Sequence, residues 1–116
     1  MVRLSHVHLP VVDLARSRAF YRDQLGLQTG FTSETMAEFP AAGIVLDQET
    51  GFKRSKTPVT VGIGVDDVDS AFAALEARGV PVVDPPTDQP WGVRNFYIRD
   101  PDGYVIEFEQ PASSAQ

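Results

Sequence analysis

The sequence predicts an α+β fold in which a strand, a helix and further strands occur twice in succession. One helical pattern begins at Asp13 and closes at Gly26, and a second begins at Asp67 and closes at Gly79. The two starts are 54 residues apart and the two ends are 53 apart. A strand-like stretch precedes each helix. Because the order of the elements matches as well as their spacing, we interpret the chain as an internal repeat of about fifty residues per copy.

Both helices have the residues expected at their ends. The carboxylates of Asp13 and Asp67 can accept backbone N–H groups at a helix start, where the helix dipole favours negative charge. Gly26 and Gly79 stand where a left-handed residue often ends a helix. Apolar residues form one stripe at helical spacing in the second helix: Val68, Ala71, Phe72 and Leu75. Each helix is therefore predicted to cover one face of a sheet.

The strands alternate between an apolar face and a polar face. The first strand places His6 and His8 on its polar face, and the polar faces of later strands carry Asp47, Thr60 and Glu107. A sheet with one wet face gives the same alternation. Small side chains beside ionisable ones suit a concave surface that holds a ligand, so we expect a cavity here.

Composition excludes several classes of protein. The chain has no cysteine, so neither a thiolate nucleophile nor a Cys-ligated metal site exists. Sixteen acidic residues against ten basic ones give a net charge of −6, which argues against a nucleic-acid partner. No apolar run approaches the roughly 18 residues of a membrane span, and the N-terminus lacks a signal-peptide core. We expect a cytoplasmic protein with no membrane partner.

Two parts of the sequence resemble the vicinal oxygen chelate superfamily, which includes glyoxalase I, bleomycin-resistance proteins, fosfomycin-resistance enzymes and extradiol dioxygenases. The first part comprises residues 6–14 (HVHLPVVDL) and 20–27 (FYRDQLGL). The second comprises residues 91–97 (WGVRNFY) and 100–107 (DPDGYVIE). The resemblance implies two βαβββ modules, about 1–52 and about 57–112, in a single domain. Its implied architecture is a cupped mixed sheet with helices on the outer face, usually assembled as a homodimer.

The resemblance also marks four positions where metal-dependent relatives supply ligands, and these fall on His6, Asp47, Thr60 and Glu107. Asp47 is matched with Glu107 by its distance from the preceding glycine, and Thr60 with His6 by the 54-residue offset. Threonine is a poor ligand, which leaves His6, Asp47 and Glu107 as candidates for Zn, Ni, Fe or Mn. His8 shares the face of His6, but same-face neighbours lie about 6.5–7 Å apart, which strains joint ligation. We therefore expect no bound cofactor, with a divalent metal as the alternative.

Three functions stay open. The favoured one is a metal-independent protein that binds a small, partly aromatic molecule such as an antibiotic in a cup completed by a second subunit. Its candidate ligand-binding residues are His6, His8, Thr60, Trp91, Arg94 and Glu107. Trp91 would stack on a flat ligand or pack in the core, and Arg94 would attract an acidic group or pair with a carboxylate. The alternative is a metal-dependent lyase, isomerase or dioxygenase using His6 and Glu107. The third is a metal-free enzyme with either residue as general base.

Overall fold

The structure is a computed structural model that describes residues 4–49, 51 and 59–111. The chain divides into two units, Met1–Ser55 and Lys56–Gln116, each with its own sheet and helix. The predicted α+β fold is confirmed. In the part of the chain that the structure describes, no helix is both long enough and apolar enough to span a membrane.

The first unit contains three strands, one helix and two short helical turns. In chain order these are β1 (Val7–Val11), α1 (Leu14–Ala19), a π-helical turn (Phe20–Gln24), β2 (Met36–Phe39), a 3₁₀ turn (Pro40–Ala42) and β3 (Ile44–Gln48). Strand β3 lies between the other two, parallel to β1 and antiparallel to β2. The resemblance implied three strands after the helix, and the described residues of this unit form two. The polar segment 28–35 (QTGFTSET) lacks the apolar alternation of a strand and contributes one isolated bridge, between Thr32 and Ala37.

The second unit has the full βαβββ order. Its elements are β4 (Thr60–Gly64), α2 (Val68–Ala77), β5 (Val82–Asp88), β6 (Val93–Arg99) and β7 (Val105–Pro111). The strands are arranged in the order β4-β7-β6-β5, with β4 parallel to β7 and the other neighbours antiparallel. A strand, a helix and a parallel last strand are thus common to both units.

Each helix begins with two side-chain caps. As predicted, Asp13 Oδ1 accepts a backbone N–H at 3.1 Å in α1, and Asp67 Oδ1 accepts two such groups in α2. A glutamine from the last strand of each unit adds a second cap. Gln48 Oε1 accepts the N–H of the first residue of α1 at 2.9 Å, and Gln110 Oε1 accepts the corresponding N–H in α2. Each last strand is therefore bonded directly to the start of its helix.

The predicted apolar faces form the core of each unit. The residues of the first unit with at most 6% exposure include Leu9, Val11, Leu14, Phe20, Tyr21, Ala37, Phe39, Ile44 and Leu46. Those of the second unit with at most 5% exposure include Val68, Leu75, Phe96, Ile98, Ile106 and Phe108. In the second unit the ring of Phe96 lies 5.5 Å from that of Phe72 and stacks on that of Phe108 at 5.1 Å.

The helix of the first unit is shorter than the predicted 13–26 pattern, because its hydrogen bonding changes to the π type from Phe20 onward. Both predicted end glycines, Gly26 and Gly79, have the expected positive φ, 78° and 77°.

Candidate functional site

The strand register shows which residues of the two units correspond. In the first unit His8 lies opposite Val45, and in the second Gly62 lies opposite Glu107. His8 and Gly62 are separated by the same 54 residues that separate the two helix caps. Val45 is therefore the counterpart of Glu107 in the first unit.

The same register corrects the match made for Asp47. This residue lies opposite Pro10, and its counterpart in the second unit is Glu109, which lies opposite Gly64. Matching by distance from the preceding glycine failed because the turns before β3 and β7 differ in length. Asp47 thus lies two residues beyond the position that corresponds to Glu107.

The polar face of the first unit carries a continuous chain of hydrogen bonds. Ser5 Oγ lies 2.6 Å from Nδ1 of His6, and Nε2 of His6 lies 3.1 Å from Nε2 of His8. Nδ1 of His8 lies 2.5 Å from Oδ2 of Asp47. An ionised carboxylate only accepts hydrogen bonds, so His8 carries its proton on Nδ1 and donates it to Asp47. With one proton on each ring, Nε2 of His8 accepts from Nε2–H of His6, and Nδ1 of His6 accepts from the Ser5 hydroxyl.

The rings of His6 and His8 lie closer together than the spacing of same-face residues along a strand suggested. Their ring centroids lie 4.9 Å apart, against about 6.5–7 Å for that spacing. His6 precedes Val7, the first residue of β1, and is therefore outside the strand ladder. Both side chains are long enough to lean toward each other, which brings their Nε2 atoms within contact distance.

The polar face of the second unit is organised around Glu107. Asn95 Nδ2 donates to Glu107 Oε2 at 2.7 Å and to the hydroxyl of Tyr97 at 3.2 Å. Gln89 Nε2 donates to Oδ1 of Asn95 at 3.0 Å, and Asn95 itself is 1% exposed. This network was not among the features predicted from the sequence. The alternation of polar and apolar residues in 95–98 (NFYI) would have placed Asn95 and Tyr97 on one face of β6.

Strand β4 leaves open space beside this network. A Cβ atom at Gly62 would lie 3.5 Å from Oε1 of Glu107 and 3.6 Å from Oε2 of Glu109, so both carboxylates approach the glycine backbone. A Cβ at Gly64 would meet nothing within 4 Å. Thr60 is exposed on the same strand. A ligand can therefore approach the backbone of β4 closely, as glycine permits.

Trp91 lies on the turn between β5 and β6 and is 65% exposed. The neighbouring residue, Gly92, lines a groove of about 360 Å³ that is also bordered by Gly64 and Glu109. The alternative of core packing is wrong for this side chain. Its indole ring is available for stacking.

Arg94 lies on the opposite face of β6, toward α2. Its guanidinium donates to both carboxylate oxygens of Asp69, at 3.0 and 2.9 Å, and to Asp88 at 3.3 Å. These bonds raise the pKa of Arg94 above its usual range, and the bond from Arg94 lowers the pKa of Asp69. The arginine joins the start of α2 to the sheet, so it has the structural role that we considered as the alternative to ligand binding.

A family model described as the Glyoxalase/Bleomycin resistance protein/Dioxygenase superfamily matches residues 3–108 of this chain. The chain belongs to this superfamily. The repeat, the capped helices and the parallel pairing of first and last strands are thus features of a superfamily member.

Two curated relatives and one solved structure illustrate the similarity. The lactoylglutathione lyase of Haemophilus influenzae is 30% identical, over 97% of this chain and 96% of its own. The metallothiol transferase FosB of Staphylococcus haemolyticus is 28% identical, over 90% of this chain and 80% of its own. A glyoxalase/bleomycin resistance protein/dioxygenase from Alicyclobacillus acidocaldarius superposes with a TM-score of 0.79 at 21% identity, over 97% and 94% of the two chains. At 21% identity, this superposition shows that the two proteins share a fold.

The residues of this chain fit a superfamily-type metal set only in part. The register puts Val45 where the set would have a second carboxylate, and Thr60 stands at the position matched to His6. Neither an alkyl group nor a neutral threonine hydroxyl is a good donor for a transition metal. Among residues 4–49, 51 and 59–111, no three or more His, Asp or Glu side chains are grouped so that they could hold an ion. His6 and Glu107 remain as the donors that the set would share with this chain.

Proposed function

We propose that this protein binds a small, partly aromatic molecule on the polar face of its second unit, without a complete superfamily metal set. The observation that carries the proposal is the position of the Glu107 carboxylate. Its Oε2 is held by Asn95, while its Oε1 lies 3.5 Å from where a Cβ of Gly62 would be. A carboxylate fixed on one side and turned toward bare backbone on the other can accept hydrogen bonds from a ligand.

The chemistry of this face favours a ligand that donates hydrogen bonds or carries positive charge. Glu109 lies beside Glu107 over Gly62, and the chain has a net charge of −6. Opposite charge at long range raises the rate at which a cation reaches the surface. The exposed indole of Trp91, one residue from the groove at Gly92, supplies a flat surface for an aromatic part of the ligand. An amine-bearing aromatic compound, such as an antibiotic of the bleomycin type, satisfies both requirements.

The test uses the fluorescence of Trp91, the one tryptophan of the chain. Protein treated with EDTA is titrated with a panel of aromatic amines that includes bleomycin-type antibiotics. We expect a compound that quenches the emission at a 1:1 ratio and binds equally well with and without EDTA. Glu107→Gln should weaken its binding at least tenfold, and Glu76→Gln, a matched change on the exposed side of α2, should leave it unchanged. Binding that requires an added metal ion would contradict the proposal.

We also propose that the working protein is a homodimer, as the resemblance implies. Light scattering at micromolar concentration should give twice the mass of the chain. A monomer at that concentration would contradict this part of the proposal.

A metal-dependent lyase, isomerase or dioxygenase is the second candidate. It is favoured by the similarity to a lactoylglutathione lyase and to a metallothiol transferase. His6 and Glu107 would be its metal ligands, and the ion would act as a Lewis acid on vicinal substrate oxygens. Elemental analysis of protein purified without chelator distinguishes the two candidates. Near-stoichiometric Zn, Ni, Fe or Mn that is lost in both His6→Ala and Glu107→Ala would support the enzyme, and absence of metal after reconstitution would eliminate it.

A further inference from the structure

We propose that His6 and His8 chelate a divalent transition-metal ion through their Nε2 atoms, at a two-histidine site confined to the first unit. This site differs from the superfamily set because its second donor comes from the same strand region and not from Glu107. Neither donor comes from the proposed ligand-binding face of the second unit.

The distance between the two nitrogens suits a shared ion. Metal–imidazole bonds of about 2.0–2.1 Å place two coordinating nitrogens about 2.9 Å apart at a right angle and about 3.4 Å apart at a tetrahedral angle. The Nε2 atoms of His6 and His8 lie 3.1 Å apart, between these limits. An ion can therefore replace the hydrogen bond between the rings with little movement of either side chain.

The outer partners of the rings allow both Nε2 atoms to coordinate an ion. Asp47 Oδ2 lies 2.5 Å from Nδ1 of His8 and accepts its proton, which leaves the lone pair of a singly protonated ring on Nε2. A carboxylate behind a ligating imidazole is a common device for fixing its tautomer at metal sites. On the other ring, the Ser5 hydroxyl can turn from donor to acceptor. The proton of His6 then resides on Nδ1, its Nε2 lone pair faces the ion, and no net proton is gained or lost.

The donor type selects the ions. Two imidazole nitrogens suit Cu²⁺, Ni²⁺ and Zn²⁺, with Cu²⁺ the tightest of the three. The side chains of His8 and Asp47 are 53% and 36% exposed, so an ion from solvent reaches the pair directly. Asp47 acts here as a positioning residue for His8 and is not a ligand, which differs from the metal-ligand role that the resemblance implied for it.

In the experiment, Cu²⁺, Ni²⁺ or Zn²⁺ is titrated into EDTA-treated protein that has no polyhistidine tag, and binding is measured by calorimetry. The chain has two histidines in total, so the imidazole signals of a Cu²⁺ electron paramagnetic resonance spectrum come from this pair. We expect one ion per chain and hyperfine splitting from two nitrogens. His6→Ala and His8→Ala should each weaken binding at least tenfold and leave one nitrogen or none in the spectrum. Asp47→Ala should weaken binding about tenfold, and Asp47→Asn, which keeps an acceptor for His8, should recover part of the loss.

Glu107→Gln separates this site from the superfamily set. It should leave the affinity for Cu²⁺ within twofold, because the two-histidine site does not include Glu107. Circular dichroism of each variant checks the fold, and these exposed histidines should be replaceable without unfolding. The proposal is overturned if the wild-type protein binds none of the three ions. It is equally overturned if His8→Ala binds as tightly as the wild type, and a loss confined to His6→Ala and Glu107→Gln would assign the ion to the superfamily set instead.

Discussion

The two units share one framework and differ in the chemistry of their polar faces. In each, an aspartate and a glutamine cap the helix, and the first strand pairs in parallel with the last. On the polar face, however, His6 and His8 of the first unit have Thr60 and Gly62 as their counterparts. The carboxylate Glu107 of the second unit has Val45 in the first.

This difference shows where a repeat is constrained and where it is free to diverge. The caps satisfy backbone N–H groups that every helix leaves without partners, so both units need them in the same place. Side chains on the polar face are not needed to satisfy helix N–H groups in this way. One unit can therefore present an imidazole pair and the other a carboxylate network on the same scaffold.

The largest expected effect comes from removing an aromatic ring that the second unit has and the first lacks. Phe96 of β6 lies opposite Phe108 of β7, and the corresponding residue in the first unit is Ala37, which lies opposite Leu46. Phe96→Ala should lower the free energy of unfolding by about 3–5 kcal/mol, because it leaves a cavity between two rings. Urea denaturation followed by circular dichroism and by tryptophan fluorescence measures the change.

The reciprocal substitution provides the control. Ala37 is 0% exposed, so Ala37→Phe should overpack the first unit and cost about 1–3 kcal/mol. A neutral result for either change would mean that the two cores tolerate each other's residues and that the difference between them is not a packing constraint.

A smaller effect is expected from the glutamine caps. Gln48→Ala and Gln110→Ala each remove the acceptor of one helix N–H, so each should cost about 0.5–2 kcal/mol. The two losses should agree closely, because the bond is the same in both units. Gln28→Ala, a change of an exposed glutamine outside the helices, should have no effect, and urea denaturation of the three variants measures all of these changes. A loss in one unit only would show that the frameworks are less alike than their hydrogen bonds indicate.

Local features of this fold could be predicted from sequence, and long-range ones could not. Asp13 and Asp67 are identified by their position before an apolar stripe, which is a signal within one helical turn. The hydrogen bonds that Gln48 and Gln110 accept join residues 34 and 42 positions apart, and no pattern in the neighbouring sequence predicts them. The end of α1 also escaped prediction, because the change to π-type bonding at Phe20 has no residue signature here.

The candidate site was predictable by residue type more than by arrangement. Alternation placed His6 and His8 on one polar face correctly, yet strand spacing alone overestimated the distance between their rings. The match of Asp47 to Glu107 failed because it relied on a glycine, whereas register is set by strand pairing. Asn95 was overlooked because a buried amide becomes meaningful only once its partner across the sheet is known.

The smallest expected effect concerns pH and the cap of α2. Asp67 accepts two backbone N–H groups, and Ser70 Oγ donates to its Oδ2 at 2.9 Å. These bonds, chiefly those from Ser70, lower the pKa of Asp67. A carboxyl with a lowered pKa in the folded state stabilises the protein above its unfolded pKa of about 3.9, and this stability is lost as pH falls through the lower folded pKa.

Thermal melts between pH 6 and pH 2.5 should therefore show a larger loss of stability for the wild type than for Asp67→Asn, which still caps the helix but does not titrate. Ser70→Ala should reduce the loss, because it removes one of the bonds that favour the ionised form. Equal acid sensitivity in all three proteins would show that the charge of this cap adds nothing to what a neutral cap provides.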